Sequence, residues 1–153
     1  KNLDVLASAT KYTGKDNKPH TPIILHRVVF GSLERFIGVL LEHLNGNLPL
    51  WLSPIQTRII SFTERNTKSA EKTIQQIKKE IPNLRIDSDF RNTIINEKIR
   101  DAELQKIPYI IVIGDKEEKS KTLAVRERGT KPKFGIKLER LLKQLNEKIE
   151  NRS

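Results

Sequence analysis

Residues 108–114 read PYIIVIG, and this short stretch decides the fold of the chain. Four consecutive β-branched residues make it apolar on both faces of an extended strand. A strand of this kind is stable only in the centre of a sheet, where other elements cover both of its faces. Pro108 and Gly114 mark its two ends. We therefore expect a central sheet strand at residues 108–114.

Strand and helix patterns alternate on both sides of this strand. β-branched runs predict strands, and apolar residues at helical spacing predict helices. The predicted strands cover residues 57–62, 84–88 and 121–128, and the predicted helices cover residues 66–80, 94–106 and 136–149. Together with the central strand, the order is βαβαββα. This order is typical of an α/β fold, a layered mixed sheet flanked by helices with right-handed crossovers between parallel strands.

The N-terminal part of the chain has a different rhythm. Residues 3–12 and 23–30 are predicted to be the two strands of a β-hairpin around a turn at residues 13–19. An amphipathic helix follows from Ser32 to Leu44, with Ser32 as its N-cap. Pro49 and Pro54 then interrupt regular structure. We place a domain boundary there, between residues 1–47 and residues 48–153.

Composition limits the function classes. The chain has 29 Lys and Arg against 19 Asp and Glu, a net charge of +10. Such an excess attracts phosphate, so nucleic acid is the expected partner. There is no cysteine, which excludes disulfides and cysteine-bearing metal sites within this chain. No apolar stretch approaches the roughly 18–20 residues that span a membrane. We expect no membrane partner and a cytoplasmic location.

Standard catalytic motifs are absent from the sequence. It has no GxGxxG pattern, no phosphate-binding P-loop and no spacing that indicates a Ser-His-Asp triad. Three histidines without cysteine do not make a zinc site alone. The remaining candidate is HRVVFGSLERFIG at residues 26–38, where a strand pattern turns directly into a helix pattern. Such turns present backbone N–H groups, here with Arg35 one turn into the helix, to a phosphate.

This segment resembles the third signature motif of class II aminoacyl-tRNA synthetases, in the form found in threonyl-tRNA synthetases. Further matching segments follow in the same order, and they are PLWLSPIQ at residues 49–56, DFRN at 89–92, PYIIVIGDKE at 108–117 and AVR at 124–126. The resemblance implies that residues 1–47 are the end of a class II catalytic core. It implies that residues 48–153 are an anticodon-binding domain.

The resemblance also implies roles in the first segment. Arg35 matches the arginine that holds the ATP phosphates, and Gly31 and Ser32 match positions that line the threonine and adenylate pocket. His26 matches a zinc ligand, although the other ligands of that zinc lie outside this chain. Each position has a plainer explanation: a surface ion pair for Arg35, a tight turn for Gly31, a helix cap for Ser32 and a hydrogen-bonded histidine for His26.

Asn92, Glu117 and Arg126 match family positions that contact anticodon bases. Their chemistry suits base edges: an amide donates and accepts, a carboxylate accepts, and a guanidinium donates bidentately. A solvated turn at residues 115–119 is the alternative for Glu117. The chain also departs from the family, with Ile94 where a lysine is usual. Lys98 or Arg91 could supply the missing contact.

The parent enzyme implied by the resemblance activates threonine with ATP and transfers it to tRNA(Thr). ATP with magnesium and zinc are its implied cofactors, and we expect this chain alone to bind none of them. The parent is expected to be a homodimer. Class II motifs 1 and 2 are absent here, so this chain alone is expected to be inactive. The alternative is a free-standing, non-catalytic RNA-binding module derived from a synthetase.

Overall fold

A computed structural model describes residues 11–23, 27 and 29–152 of the chain. The chain forms two compact units, residues 1–40 and residues 41–153. The boundary predicted from the two prolines lies a few residues later, between residues 47 and 48. No helix in the described part of the chain is long and apolar enough to cross a membrane.

The first unit contains a small antiparallel hairpin. Strand β1 (Tyr12–Thr13) pairs with β2 (Pro19–His20) around the predicted turn. Within the turn, Asn17 has a φ of 54°, in the left-handed region that asparagine tolerates. A ring nitrogen of His20 lies 2.8 Å from the Asp16 carboxylate. The turn prediction is confirmed, but most of the predicted first strand, residues 3–10, lies outside the described residues.

The strand predicted at residues 23–30 is wrong where the structure describes it. Ile23, Arg27, Val29 and Phe30 all lie outside strands. Ile23 is 90% exposed, and Val29 and Phe30 are also exposed. The preference of β-branched residues for strands reflects packing on a half-buried pleated surface, which these exposed side chains do not make. The remaining residues of the run, 24–26 and 28, lie outside the described residues.

Helix α1 (Leu33–His43) begins and ends as the sequence predicts. The Ser32 hydroxyl oxygen accepts a hydrogen bond from the Arg35 backbone N–H at 3.3 Å, which caps the first turn. At the other end, Gly46 has a φ of 69° and donates its N–H to the Leu41 carbonyl at 2.8 Å. That left-handed position after a helix is where glycine costs least.

The second unit is an α/β fold with five strands and four helices in its described residues. The elements are β3 (Thr57–Ser61), α2 (Thr67–Glu80), β4 (Ile86–Asp89), α3 (Ile95–Leu104), β5 (Tyr109–Ile113), α4 (Asp115–Ser120), β6 (Leu123–Glu127), β7 (Lys133–Ile136) and α5 (Leu138–Glu150). A short 3₁₀ turn, Glu64–Asn66, leads into α2.

The strands form one mixed sheet in the order β4-β3-β5-β6-β7. Strands β4, β3 and β5 are parallel, whereas β6 and β7 run antiparallel to their neighbours. The predicted central strand is confirmed, because Ile111 of β5 pairs with Ile59 on one side and with Val125 on the other. The α/β fold class predicted from the alternating pattern is confirmed as well.

Two elements of the second unit were not predicted. Residues 115–120 form the short helix α4, which is polar on all sides, whereas the sequence offered only a solvated turn at residues 115–119 as the alternative for Glu117. Residues 133–136 form the edge strand β7, which is mostly exposed and pairs with β6 through an irregular register. Both lack the apolar periodicity by which helices and strands are recognised in a sequence, because neither contributes much to the core.

The two faces of the sheet are covered unequally. One face, which we call the covered face, packs against both α2 and α5. Its buried residues include Ile59, Ala70, Ile77, Ile111, Leu141 and Leu145. The other face, which we call the open face, packs against α3 through a smaller cluster of Ile60, Ala102, Ile107 and Ile110. One helix is too narrow to cover a five-stranded sheet, because helices pack about 10 Å apart and strands about 4.8 Å apart.

Candidate nucleic-acid interface

A groove of about 500 Å³ lies on the open face of the sheet, and we call it the sheet groove. Its floor consists of two cross-strand pairs from β5 and β6, Ile110 with Arg126 and Val112 with Ala124. Its walls come from α3, from the start of α4, and from two exposed aromatic residues, Phe62 and Phe134. The groove is therefore mainly apolar, with charged groups at a few defined points.

Arg126 is the cation at the floor of the sheet groove. Because side chains alternate along β6, Arg126 lies on the same face as Ala124, as the sequence predicts. Its side chain is 35% exposed, and its Nη1 atom lies 2.9 Å from Glu103 Oε1. A guanidinium held at an apolar surface can still offer further N–H donors to a bound group.

Glu117 lines the same groove but also serves the fold. Its Oε2 atom accepts a hydrogen bond from the Gly114 backbone N–H at 3.2 Å, at the start of α4. A Cβ atom at position 114 would lie 3.0 Å from that oxygen and 3.4 Å from Phe62 Cβ, so the approach suits glycine. This helix-capping contact gives Glu117 a structural role that the sequence did not predict, and its second carboxylate oxygen remains available for another donor.

Asn92 is exposed in the loop between β4 and α3, and it does not line the sheet groove. Strands β3 and β5 separate β4 from β6 in the sheet. The sheet groove therefore brings Glu117 and Arg126 together without Asn92, which lies in the adjoining loop shortly before the groove residue Ile95. Its loop is well anchored, since Asp89 Oδ2 accepts from Arg91 Nη2 at 2.6 Å. The same Arg91 nitrogen lies 2.7 Å from Asp101.

The structure rules out Lys98 as the replacement for the missing family lysine. Lys98 is 2% exposed, and its Nζ atom donates to the Ser61 carbonyl at 3.0 Å. It lies on the buried side of α3 because helical periodicity places it one turn from Ala102, which is also buried. Arg91 is exposed, but it is held by two carboxylates. Ile94 itself is 71% exposed beside Asn92.

In the first unit, the turn before α1 brings Gly31, Ser32 and Arg35 together. Gly31 has a φ of 74°, a left-handed conformation that favours glycine. The Ser32 hydroxyl donates to Glu34 at 2.7 Å, and this hydrogen bond lowers the pKa of the Glu34 carboxyl. Arg35 is exposed. The cap and turn functions of these residues are thus present.

The zinc prediction concerns His26, which lies outside the described residues. Within the part of the chain that the structure describes, no three histidine, aspartate or glutamate side chains are grouped closely enough to hold a metal ion. His20 is engaged with Asp16. A zinc ion would thus need ligands beyond the described residues.

Sequence reasoning missed Phe62, Phe134 and Glu103 as site residues. Phe134 lies in the unpredicted strand β7, between Lys133 and Gly135, so nothing marked it as part of a sheet. Glu103 is one of many charged residues on predicted helices. The signal that could have found Phe62 is weak: an aromatic residue directly follows a buried strand at its carboxyl end, where α/β sheets commonly bind ligands.

Comparisons with known proteins agree with this geometry. The family model described as "Anticodon binding domain" matches residues 56–148. A threonine–tRNA ligase from Sulfurihydrogenibium sp. is 45% identical over 141 residues, which cover 92% of this chain and 22% of that protein. The threonine–tRNA ligase of Bdellovibrio bacteriovorus is 44% identical over 143 residues, which cover 94% of this chain and 22% of that protein.

A solved structure supports the same assignment. The RNA binding domain of threonyl-tRNA synthetase from Cryptosporidium parvum superposes with a TM-score of 0.71 at 29% identity, covering 92% of this chain and 35% of that one. The chain spans about a fifth of the length of the curated relatives it matches. The resemblance to threonyl-tRNA synthetases is confirmed, and by its fold and its match over residues 56–148 the chain belongs to the anticodon-binding domain family.

Proposed function

We propose that this chain supplies the anticodon-reading part of a threonine–tRNA ligase, and that the sheet groove receives unpaired bases of the tRNA(Thr) anticodon. The observation that carries the proposal is Arg126, a guanidinium on the apolar floor of the groove that α3 leaves open on this sheet face. Single-stranded RNA is recognised by such combinations, since bases stack on apolar or aromatic surfaces while polar side chains read their edges.

The walls of the groove support a nucleobase as the occupant. Phe62 and Phe134 are 52% and 71% exposed, and each offers a flat ring at the groove. Arg126 can donate two hydrogen bonds to one base, as guanidinium groups do to guanine. Glu117 can accept from an exocyclic amino group through the oxygen that does not cap α4. Stacking of a base on these rings requires that the base is unpaired, as anticodon bases are.

The positive charge of the chain attracts the RNA phosphates whatever the bases are. The chain carries a net charge of +10, and Lys116 lines the groove beside Glu117. Phosphate neutralisation of this kind makes affinity fall with added salt. Asn92, on its separate loop, is proposed to contact a neighbouring anticodon base rather than the base that Arg126 contacts.

For the parent enzyme we propose activation of threonine with ATP and transfer to tRNA(Thr) in the cytoplasm, by a homodimer. Gly31, Ser32 and Arg35 are proposed to contribute to its adenylate site, with Arg35 on the ATP phosphates and magnesium as the counter-ion. His26 is proposed as one ligand of its zinc. The relatives of the chain are ligases, which favours this proposal over a free-standing RNA-binding module.

The test is binding of labelled anticodon stem-loops to the purified chain by fluorescence anisotropy. The cognate tRNA(Thr) stem-loop and versions with one anticodon base substituted are titrated at two salt concentrations. We expect the cognate stem-loop to bind more tightly, with all affinities falling as salt rises. Equal affinities for cognate and substituted stem-loops would contradict the proposal, because charge alone would then explain binding.

A further inference from the structure

We propose that Glu103 is a positioning residue for base recognition, and that it holds the Arg126 guanidinium in the orientation that reads a base in the sheet groove. This inference rests on the proposed function of that groove. The ion pair between Arg126 Nη1 and Glu103 Oε1 measures 2.9 Å. Glu103 lies on α3 and Arg126 on β6, so the contact is purely tertiary.

The carboxylate reaches Arg126 from outside the groove. A second depression of about 450 Å³ lies beside the sheet groove, and Arg126 and Ile110 line both. Glu103 lines the second depression and not the sheet groove. A base can therefore enter the sheet groove without displacing Glu103, and the ion pair persists while the other guanidinium nitrogens face the ligand.

The backbone that carries Glu103 is firmly anchored. Ala102, its neighbour, is fully buried against the sheet. Two residues further on, the side-chain oxygen of Gln105 accepts a hydrogen bond from Arg58 at 2.6 Å. Arg58 is itself buried and paired with Asp87. The last turn of α3 thus holds the backbone of Glu103 at a constant place relative to the sheet, and the half-exposed carboxylate reaches Arg126 from there.

Guanidinium chemistry explains why this placement matters. A bidentate contact requires the plane of the guanidinium to match the base edge, and an arginine side chain has many rotamers to lose. The ion pair with Glu103 restricts these rotamers before RNA arrives and leaves the guanidinium N–H groups to donate to a base. The entropy cost of binding therefore falls for a base whose edge matches the oriented guanidinium. The affinity for a mismatched base rises little, because that base does not make the bidentate contact.

The experiment compares Glu103→Ala, Glu103→Gln and the matched control Glu147→Ala in the full chain. Glu147 is exposed on α5 and lies 4.0 Å from Lys143, so its removal changes net charge equally but leaves Arg126 untouched. Cognate and base-substituted stem-loops are titrated as above, and thermal unfolding confirms that each variant is folded.

We expect Glu103→Ala to weaken cognate binding roughly threefold to tenfold, the cost of immobilising one flexible side chain. Substituted stem-loops should be little affected, so discrimination falls. Glu103→Gln keeps the size of the side chain but removes the charge of the ion pair, so discrimination should fall as it does in Glu103→Ala. In an Arg126→Ala background, Glu103→Ala should have no further effect on discrimination.

A second outcome would show that Glu103 acts only through its negative charge. If Glu103→Ala and Glu147→Ala both raise the affinity for every stem-loop to the same extent, Glu103 does not position Arg126. In that case the wild-type chain would still discriminate between stem-loops, so the proposed function would survive. A wild-type chain that does not discriminate would overturn both the proposed function and this inference.

Discussion

The side-chain nitrogen of Lys98 lies 3.0 Å from the carbonyl oxygen of Ser61, inside the second unit rather than on its surface. Ser61 is the last residue of β3, so this bond ties α3 to the carboxyl end of a buried strand. The positive charge also lowers the pKa of the Asp89 carboxyl, although hydrogen bonds from Arg91 are the larger cause. A lysine in this place stabilises the fold and does not reach RNA.

We therefore predict that Lys98→Met leaves stem-loop affinity unchanged beyond the effect of Lys143→Met, an exposed lysine lost from α5. Methionine keeps the length of the side chain, and replacing a buried charge with an apolar group of similar volume is often close to neutral. Lys98→Ala should destabilise more, by about 2–4 kcal/mol, because it also leaves a cavity. Urea denaturation and anisotropy measure the two effects. A folded Lys98→Met chain with greatly weakened binding would show that Lys98 contacts RNA after all.

Arg126→Ala should weaken binding of the cognate stem-loop by about 1–3 kcal/mol, because a bidentate contact to one base is lost. Discrimination at one anticodon position should disappear with it. Lys143→Ala serves as the control, since it lowers affinity only slightly and equally for every stem-loop. Anisotropy titrations at two salt concentrations distinguish these outcomes. If the two variants behave alike, Arg126 is only part of a cationic surface.

Phe134→Ala should weaken binding of every stem-loop by about 1–3 kcal/mol, the usual contribution of one base stacked on an aromatic ring. Unlike Arg126→Ala, it should leave the ratio of cognate to substituted affinities nearly constant, because every base has a stacking face. Phe134→Tyr keeps the ring and should bind like the wild type. A Phe134→Ala chain with wild-type affinity would remove β7 from the binding surface.

We predict that the folded chain loses stability in acid as the Asp89 carboxylate becomes protonated. Asp89 accepts from the Arg91 side chain at 2.6 and 3.0 Å and from its backbone N–H at 3.1 Å, which lowers its pKa from the model-compound value of 3.8. The lowered pKa adds to the free energy of unfolding. This contribution is complete at a pH above the pKa of Asp89 in the unfolded chain, and it is lost as the pH falls through the pKa in the folded chain.

Asp89→Asn should therefore cost about 1–3 kcal/mol at pH 7, where hydrogen bonds to a charged carboxylate are lost. The difference from the wild type should shrink as the pH falls below about 4. Urea denaturation at a series of pH values measures this difference in stability. Glu139→Gln, which removes an exposed carboxylate on α5, is the control. A difference that does not change between pH 7 and pH 3 would contradict the ionised Asp89–Arg91 pair.

The chain alone should show no threonine-dependent exchange of pyrophosphate into ATP. Residues 26–38 carry the resemblance to the third class II motif, but the first and second motifs are absent from the sequence. A single arginine on a first helical turn contributes phosphate binding without the groups that orient the reacting atoms. Robust exchange by the purified chain, abolished by Arg35→Ala, would show that this chain carries a complete active site and contradict the prediction.

Local patterns alone predicted the elements that build the core. The β-branched run at residues 110–113 indicates a central strand, since it needs cover on both faces. The helices α2, α3 and α5 follow from apolar residues at helical spacing, because the same periodicity that buries a stripe of side chains is visible in the sequence. The resemblance to synthetases, carried by short segments in order, pointed to Arg126 and Glu117 before any geometry was known.

Tertiary structure alone decided which of these residues act together. Edge strand β7 and short helix α4 bury few residues, so no periodic pattern in the sequence predicted them. Both nevertheless contribute residues to the walls of the sheet groove. Lys98 and Glu103 lie on the same helix, but one is buried and the other meets Arg126 on a distant strand. Periodicity reports how each element buries its own face, whereas the partners of a charged side chain depend on residues far apart in the chain, which only the packed sheet brings together.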